Sequence, residues 1–254
     1  MSRSYHLFAL IPTERLPTLP LPAGLEGGEI TLLSAGPLTV IAQPVEAEFT
    51  ARLQQGRAEE SERAWLTELL LAHERVVEHF AAFAPVFPLG FGVLLAEHLA
   101  LPAVIAPHAA LLSDFFSAVA GRQEWSLKFF LREQSPKRGQ MAQAARSGLD
   151  YLAARQSVPE RLAAQMEAGH AFVEQALTKL KPYYEGLVSH KTGASPSKDL
   201  RLLTNIALLV PEAAQADFVA AIEAMLASAS DSGLELTLTG PWPAYSFRPS
   251  ITLG

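Results

Sequence analysis

This sequence predicts an α+β fold in two domains, and three observations carry the prediction. From Glu124 onward, strand and helix patterns follow in the order β-α-β-β-α-β with the first helical segment doubled, which is the split arrangement of ferredoxin-like domains. Ahead of it, a strand, a hairpin pattern and a long helical pattern give a looser version of that arrangement. Between the two, Gln134-Ser135-Pro136-Lys137-Arg138-Gly139 is polar and turn-forming and makes the best break in the chain. Residues 1–133 are therefore read as an N-terminal α+β domain. Residues 134–254 are read as a C-terminal ferredoxin-like domain with a helical insert, its first strand lying at 124–131.

The elements follow from local chemistry. Residues 5–11 are almost continuously apolar and end at Pro12, the mark of a buried strand. Residues 16–28 hold three prolines and three glycines, which sustain neither a helix nor a ladder, so they form an extended loop. Residues 29–34 and 38–43 read as a hairpin turning at Gly36-Pro37. From Ser61, Leu66, Leu69, Leu70, His73, Val76, Val77, Phe80 and Phe83 recur at helical spacing, with Glu68, Glu74, Arg75 and Glu78 mostly opposite. Pro85 stops that helix. Residues 86–94 follow as a strand or strand-like loop, 107–120 as a short helical region, and 124–131 as a strong strand. Trp125 and Lys128 fall on opposite pleat faces, Trp125 inward and Lys128 outward. Next come a helix over 141–156 and a second one starting at Pro159, whose fixed φ suits a first turn. Strands at 187–192 and 202–210, a helix over 211–228 and a strand over 234–239 complete the order. Pro241 and Pro243 withdraw two backbone donors, so Trp242 is held in an extended segment that cannot join the middle of a sheet, and the chain turns there.

Composition excludes several functions. The 254 residues contain no cysteine, which rules out disulfides, thiolate catalysis and cysteine-ligated zinc or iron-sulfur clusters. With 20 Lys plus Arg against 26 Asp plus Glu the net charge is -6, and no basic run suits a phosphate backbone, so no nucleic-acid partner is expected. No apolar run reaches the ~20 residues of a membrane span and no leader pattern is present, which reads as a cytoplasmic protein. Hydrophobic residues make up 49% and charged ones only 18%, which points either to an efficient core or to apolar surface left over for a partner.

Motifs for catalysis are not found. In His73-Glu74-Arg75-Val76-Val77-Glu78-His79 a zinc helix would need a histidine at 77 or 75, where Val77 and Arg75 stand. His73 instead falls among Leu69, Val76 and Phe80 and reads as a core or interface histidine with its nitrogens hydrogen-bonded. Gly24-Leu25-Glu26-Gly27-Gly28 and Gly90-Phe91-Gly92 lack P-loop and dinucleotide spacing and read as turns. No serine sits in a Gly-x-Ser-x-Gly elbow. Glu59-Glu60 reads as a solvated approach to a helix N-terminus, and Tyr151 with Arg155 as a ring stacked on a guanidinium along a helix. Neither enzymatic activity nor a cofactor or metal is expected.

Several segments taken in order carry more information together than singly. They are residues 5–12, Leu71-Ala72-His73-Glu74-Arg75-Val76-Val77, Val86-Phe87-Pro88-Leu89-Gly90-Phe91-Gly92, and Gly121-Arg122-Gln123-Glu124-Trp125-Ser126-Leu127-Lys128. Ser147-Gly148-Leu149-Asp150-Tyr151-Leu152-Ala153-Ala154-Arg155, Asn205-Ile206-Ala207-Leu208-Leu209-Val210 and Gly240-Pro241-Trp242-Pro243-Ala244-Tyr245-Ser246-Phe247 complete the set, the last being the most specific. Over nearly its whole length the chain resembles the gas vesicle GvpL/GvpF family. One departure stands out: the family usually carries an arginine between the leucine and phenylalanine of its Pro-Leu-Arg-Phe-Gly motif, and this chain has Gly90.

The resemblance implies an accessory, assembly-factor protein with no enzymatic activity. It implies chaperone-like binding of the small, very apolar major gas vesicle structural protein during nucleation or growth, with other gas vesicle accessory proteins as further partners and a place as a minor vesicle component. Exposed apolar area drives aggregation at ~25 cal/mol per Å², which a transient binder suppresses. The expected partner-binding residues are His73 and His79 on the long helix with Trp242, Tyr245 and Phe247 on the tail, bordering an apolar groove; a sheet edge is the other route. By physics alone the tail reads first as a peg that packs its rings over the end of the core rather than as a recognition element, and both readings can hold at once. Two other classes compete: a small-molecule-binding regulatory protein of ferredoxin-like fold, and, last, a metallohydrolase using His73, His79 and nearby carboxylates.

Overall fold

The computed structural model describes residues 4–54, 60–96, 101–132, 148–191, 195–197 and 199–253, with 148–158 described by backbone alone. The chain divides into two compact units, Met1–Gln123 with Trp242–Gly254, and Glu124–Pro241. The turn at 134–139 lies outside the described residues.

Unit 1 is built on a five-stranded sheet. β1 (Ser4–Pro12) is its central strand, flanked on one side by β3 (Leu38–Val45) and then β2 (Thr31–Ala35), and on the other by two short strands, β4 (Phe87–Pro88) and β5 (Leu94–Leu95). Every pairing in this sheet is antiparallel. β1 is buried from Tyr5 to Ile11 because its unbroken apolar run has no face to give to solvent. The pairing with β3 shifts between Leu7 and Ala9, so Phe8 is the extra residue of a bulge. The hairpin turns at Gly36-Pro37 as expected, with Ala35 opposite Leu38 and Gly36 at φ 69°.

The helices of unit 1 are α1 (Ala47–Gln54), α2 (Glu60–Ala81), α3 (Leu101–Ile105) and α4 (Ala109–Val119). α2 turns Leu69, Ala72, His73, Val76, Val77 and Phe80 into a core with Phe8, Ala9, Ile11 and Ile41. Two residues expected on that face, Leu70 and Phe83, are exposed instead. The buried stripe is narrower than the sequence reading made it, and Phe83 lies past the end of the helix. The span Leu101–Val119 is long and apolar enough to cross a membrane by composition. A 3-10 turn at Ala106–His108 divides it into α3 and α4, which pack on β2 and β4.

The loop before β2 is fixed by one side chain. Gln43 accepts the Leu25 N–H at 2.7 Å and donates to the Leu25 carbonyl at 3.0 Å, so its amide completes both backbone bonds of a buried residue. Gly24 and Gly28 bracket the contact, and a Cβ at either would collide with the Gln43 amide. The glycine cluster is a turn built around that amide.

Unit 2 holds a four-stranded sheet in the order β7 (Gly186–His190), β8 (Leu200–Pro211), β6 (Arg122–Arg132), β9 (Leu234–Trp242). Two helices, α5 (Gly148–Leu180) and α6 (Gln215–Asp231), complete it. Val173, Ala176 and Leu180 of α5 and Phe218, Ile222 and Met225 of α6 cover Leu127, Phe129, Leu208 and Val210 of the sheet. Each fully buried large side chain contributes roughly 1.5–3 kcal/mol of transfer free energy. Gly169 marks a close approach of α5, since a Cβ there would lie 2.6 Å from Leu203 Cδ1.

Residues 141–147 lie outside the described residues, and from Gly148 on the two helices expected over 141–156 and from Pro159 are one. α5 is continuous across Pro159, which stands inside it. An internal proline removes one i to i−4 bond, and the apolar stripe running on to Leu180 offsets that loss. The side chains of Tyr151 and Arg155 lie outside the described residues. Trp125 is half-buried and packs on the unit 2 core with its ring 5.8 Å from Phe218, while Lys128 is half-buried as well. Pro241 lies on β9, the edge strand of the sheet, the kind of position where a proline is tolerated. Gly240 before it has φ 134°, and a Cβ there would sit 3.0 Å from the Glu124 carbonyl oxygen.

Candidate functional site

The most unusual chemistry in unit 1 lies under α2. His6 on β1 and His73 on α2 are both fully buried, with His6 Nε2 3.0 Å from His73 Nδ1 and His73 Nε2 3.0 Å from the Leu89 carbonyl. A carbonyl only accepts, so the proton of His73 is on Nε2 and its Nδ1 is the acceptor. His6 Nε2–H is therefore the donor of the pair, and its bare Nδ1 has no hydrogen-bond partner among the described residues. Both rings are neutral. Burial, reinforced by its neighbour, drives the pKa of His6 down to about 3, and burial drives that of His73 down to about 4, opposed by its bond to Leu89. Phe8 stacks on His73 at 5.2 Å and Phe91 meets both imidazoles edge-on or tilted, so the dyad joins β1, α2 and the 89–92 turn in one aromatic cluster.

The tail returns to this region. Tyr245 packs against the unit 1 core and donates its hydroxyl to Glu74 Oε1 at 3.2 Å. Burial raises both groups, the Glu74 carboxyl and the Tyr245 phenol, above their ordinary values. Arg248 donates from Nη1 to the Pro88 carbonyl at 2.8 Å and lies 5.6 Å from the centre of the Tyr245 ring. Further on, His108 donates to the Thr252 carbonyl at 3.0 Å. Gly90, the departure from the expected arginine, faces this guanidinium: a Cβ at 90 would lie 3.8 Å from Arg248 Nη2. A cation therefore does stand beside the 88–92 turn, supplied from the tail.

The residues singled out in the sequence fall into different environments. His73 belongs to the interior and offers a partner no surface. His79 is half-buried, with its ring 5.3 Å from Phe80 and 6.1 Å from Phe83, and its Nε2 has no partner among the described residues. Trp242 is 41% exposed, while Tyr245 and Phe247 are half-buried. His73 lies on α2 and Tyr245 bonds its neighbour Glu74, whereas His6, Gln43 and Arg248 are polar features that sequence reading missed. A histidine inside an otherwise apolar strand was the signal for His6. Among the described residues no three His, Asp or Glu side chains converge as a metal site.

Among the described residues of unit 1, two concavities stand out. One is an apolar groove of about 780 Å³ between the end of β1, the β2–β3 turn and the α3–α4 segment, floored by Leu112 and Phe116 with Ala109, Ser113 and Ser117 open to solvent. The other is a more polar cavity of about 620 Å³ between the 87–94 turn and residues 248–253.

These features define an α+β protein of two sheet-and-helix units whose chain end is strapped back onto its first unit. It belongs to the gas vesicle synthesis protein GvpL/GvpF family, whose profile matches residues 4–249. A curated relative, gas vesicle protein L of Streptomyces sp. (strain CB03234), is 24% identical over 236 residues, spanning 88% of this chain and 85% of the relative. In fold, the chain matches the gas vesicle protein GvpF of Anabaena sp. PCC7120 at a TM-score of 0.67 and 19% identity, covering 100% of this chain and 99% of that one. It matches GvpF of Microcystis aeruginosa at the same TM-score of 0.67 and 17% identity, covering 96% and 98%.

Proposed function

We propose that this chain is a non-enzymatic gas vesicle assembly factor that binds the strongly apolar major shell protein, keeps it from aggregating during nucleation or growth, and stays in the cytoplasm or on the vesicle as a minor component. Membership of the gas vesicle family supports the setting. The observation that carries the binding step is the apolar groove of unit 1, open along the α3–α4 segment and lined mostly by apolar side chains, the kind of surface on which an apolar helical segment packs. It lies on the α3–α4 side and not beside His79 and Trp242, where the sequence reading put it. The ferredoxin-like description of unit 2 is part of the same proposal, supported by its β-α-β-β-α-β element order and its strand order β7-β8-β6-β9.

Co-expression of the tagged chain with the major shell subunit, followed by pull-down and a solubility assay, tests the reading. The expected result is a complex that keeps the subunit soluble, lost in Ala109→Glu and Ser113→Glu, which place charge in the groove without touching its buried floor. Absence of a complex with the folded wild-type chain overturns the proposal. Binding that survives both variants but falls with Trp242→Ala moves the interface to the tail.

A further inference from the structure

We propose that the cavity between the 87–94 turn and the 248–253 strap is a carboxylate-binding site, with Arg248 as the residue that takes the anion. Arg248 is the one charged residue among those that line it. Its guanidinium carries five N–H donors, of which Nη1 is used on the Pro88 carbonyl. It makes no ion pair among the described residues, although a carboxylate stands nearby. Tyr245 holds that carboxylate, Glu74, through its hydroxyl, and its ring lies beside the guanidinium. The wall opposite is Gly90, where Arg248 Nη2 is the sole heavy atom near a would-be Cβ, at 3.8 Å. The Cβ position of Gly90 is therefore unfilled apart from that nitrogen, and both residues line the cavity.

The chemistry of the site selects its ligand. A planar guanidinium anchored at one nitrogen keeps its remaining edge for a two-point bond with a carboxylate, a geometry a lysine cannot reproduce. Ser250 and Thr252 of the strap add hydroxyl donors to the same lining. The net charge of -6 leaves no surplus of cations to recruit anions generally, so affinity here rests on this contact. The carboxylate comes from an acidic side chain or from the free C-terminus of a partner chain, and one experiment separates the two.

Amide and arginine Nε–H shifts of the full chain would be followed by NMR while N-acetyl-glutamate α-amide, N-acetyl-glycyl-glycine, or the neutral N-acetyl-glutamine α-amide is added. Saturable shifts at Gly90, Gly92 and Arg248 are expected with one or both acids and none with the neutral probe. The first acid reports a side-chain source and the second a chain terminus. Arg248→Met is expected to weaken binding at least tenfold, with Arg248→Lys intermediate. Gly90→Leu, which keeps the arginine and fills the space before it, is expected to abolish binding with an otherwise native spectrum. Equal shifts with the neutral probe, no saturation with either acid, or unchanged binding in folded Arg248→Met and Gly90→Leu overturns the proposal. None of these readouts involves shell protein, so this site and the assembly reading fail separately.

Discussion

His6 and His73 lie 67 residues apart in the chain, yet form a single directed hydrogen-bond relay that ends on the Leu89 carbonyl. Direction comes from that terminus: a carbonyl cannot donate, so each imidazole upstream has one allowed tautomer. The relay couples the central strand, the long helix and the 89–92 turn through polar groups in a place that packing alone would fill with apolar side chains. Such a network is stabilising only while every link is made.

Breaking it is expected to be costly. His73→Ala removes a ring that Phe8, His6 and Phe91 all touch, and strands both the His6 N–H and the Leu89 carbonyl. A cavity together with two unpaired buried groups predicts a loss of about 3–5 kcal/mol, read from the denaturant midpoint at constant m-value. A loss under 1 kcal/mol would show that neither the packing of the ring nor the relay contributes appreciably to stability.

The same pair predicts acid sensitivity of definite sign. Near pH 7 both histidines are neutral, folded or unfolded. Below about 6.5 the unfolded chain takes up protons that the folded chain refuses until about pH 4 at His73 and about pH 3 at His6, so stability falls as pH falls through that window. Each histidine accounts for up to about 1.4 kcal/mol per pH unit. Urea midpoints at pH 7, 6 and 5 should decline, and His6→Gln, though weaker at pH 7, should decline less steeply. Flat midpoints for the wild-type chain would contradict buried neutral rings.

The loop clamp predicts an asymmetric glycine effect. Gly28→Ala drives a methyl into the Gln43 amide and should cost about 1–3 kcal/mol by displacing its bonds to Leu25. Gly36→Ala, at φ 69° but with open space around it, should cost only the backbone strain of about 1 kcal/mol. Comparing the two melting temperatures separates collision from conformational strain, and equal shifts would remove the clamp as the reason for Gly28.

Much of this was legible in the chain. Continuous apolar residues from Tyr5 gave the central strand, Gly36-Pro37 the hairpin, and the period from Leu69 to Phe80 the long helix, because each is dictated by local pattern. Pro159 misled because local propensity argues for a helix start, whereas the packed stripe around Val173 and Leu180 settles the longer helix. The candidate site was half legible. The core reading of His73 followed from its apolar neighbours, but its partner His6 depends on β1 lying beneath α2. Arg248 was invisible for a related reason: its role comes from the tail returning to the 88–92 turn, a contact across 160 positions that no window of sequence spans.

That return of the tail makes residues 124–241 an insertion within unit 1, in a topological sense. During synthesis the whole of unit 2 is made before the stretch that supplies Tyr245 and Arg248 to unit 1. Order of assembly is thereby tied to order of translation: the bonds of Tyr245 to Glu74 and of Arg248 to the Pro88 carbonyl are the ones that cannot form until every strand of unit 2 has been made.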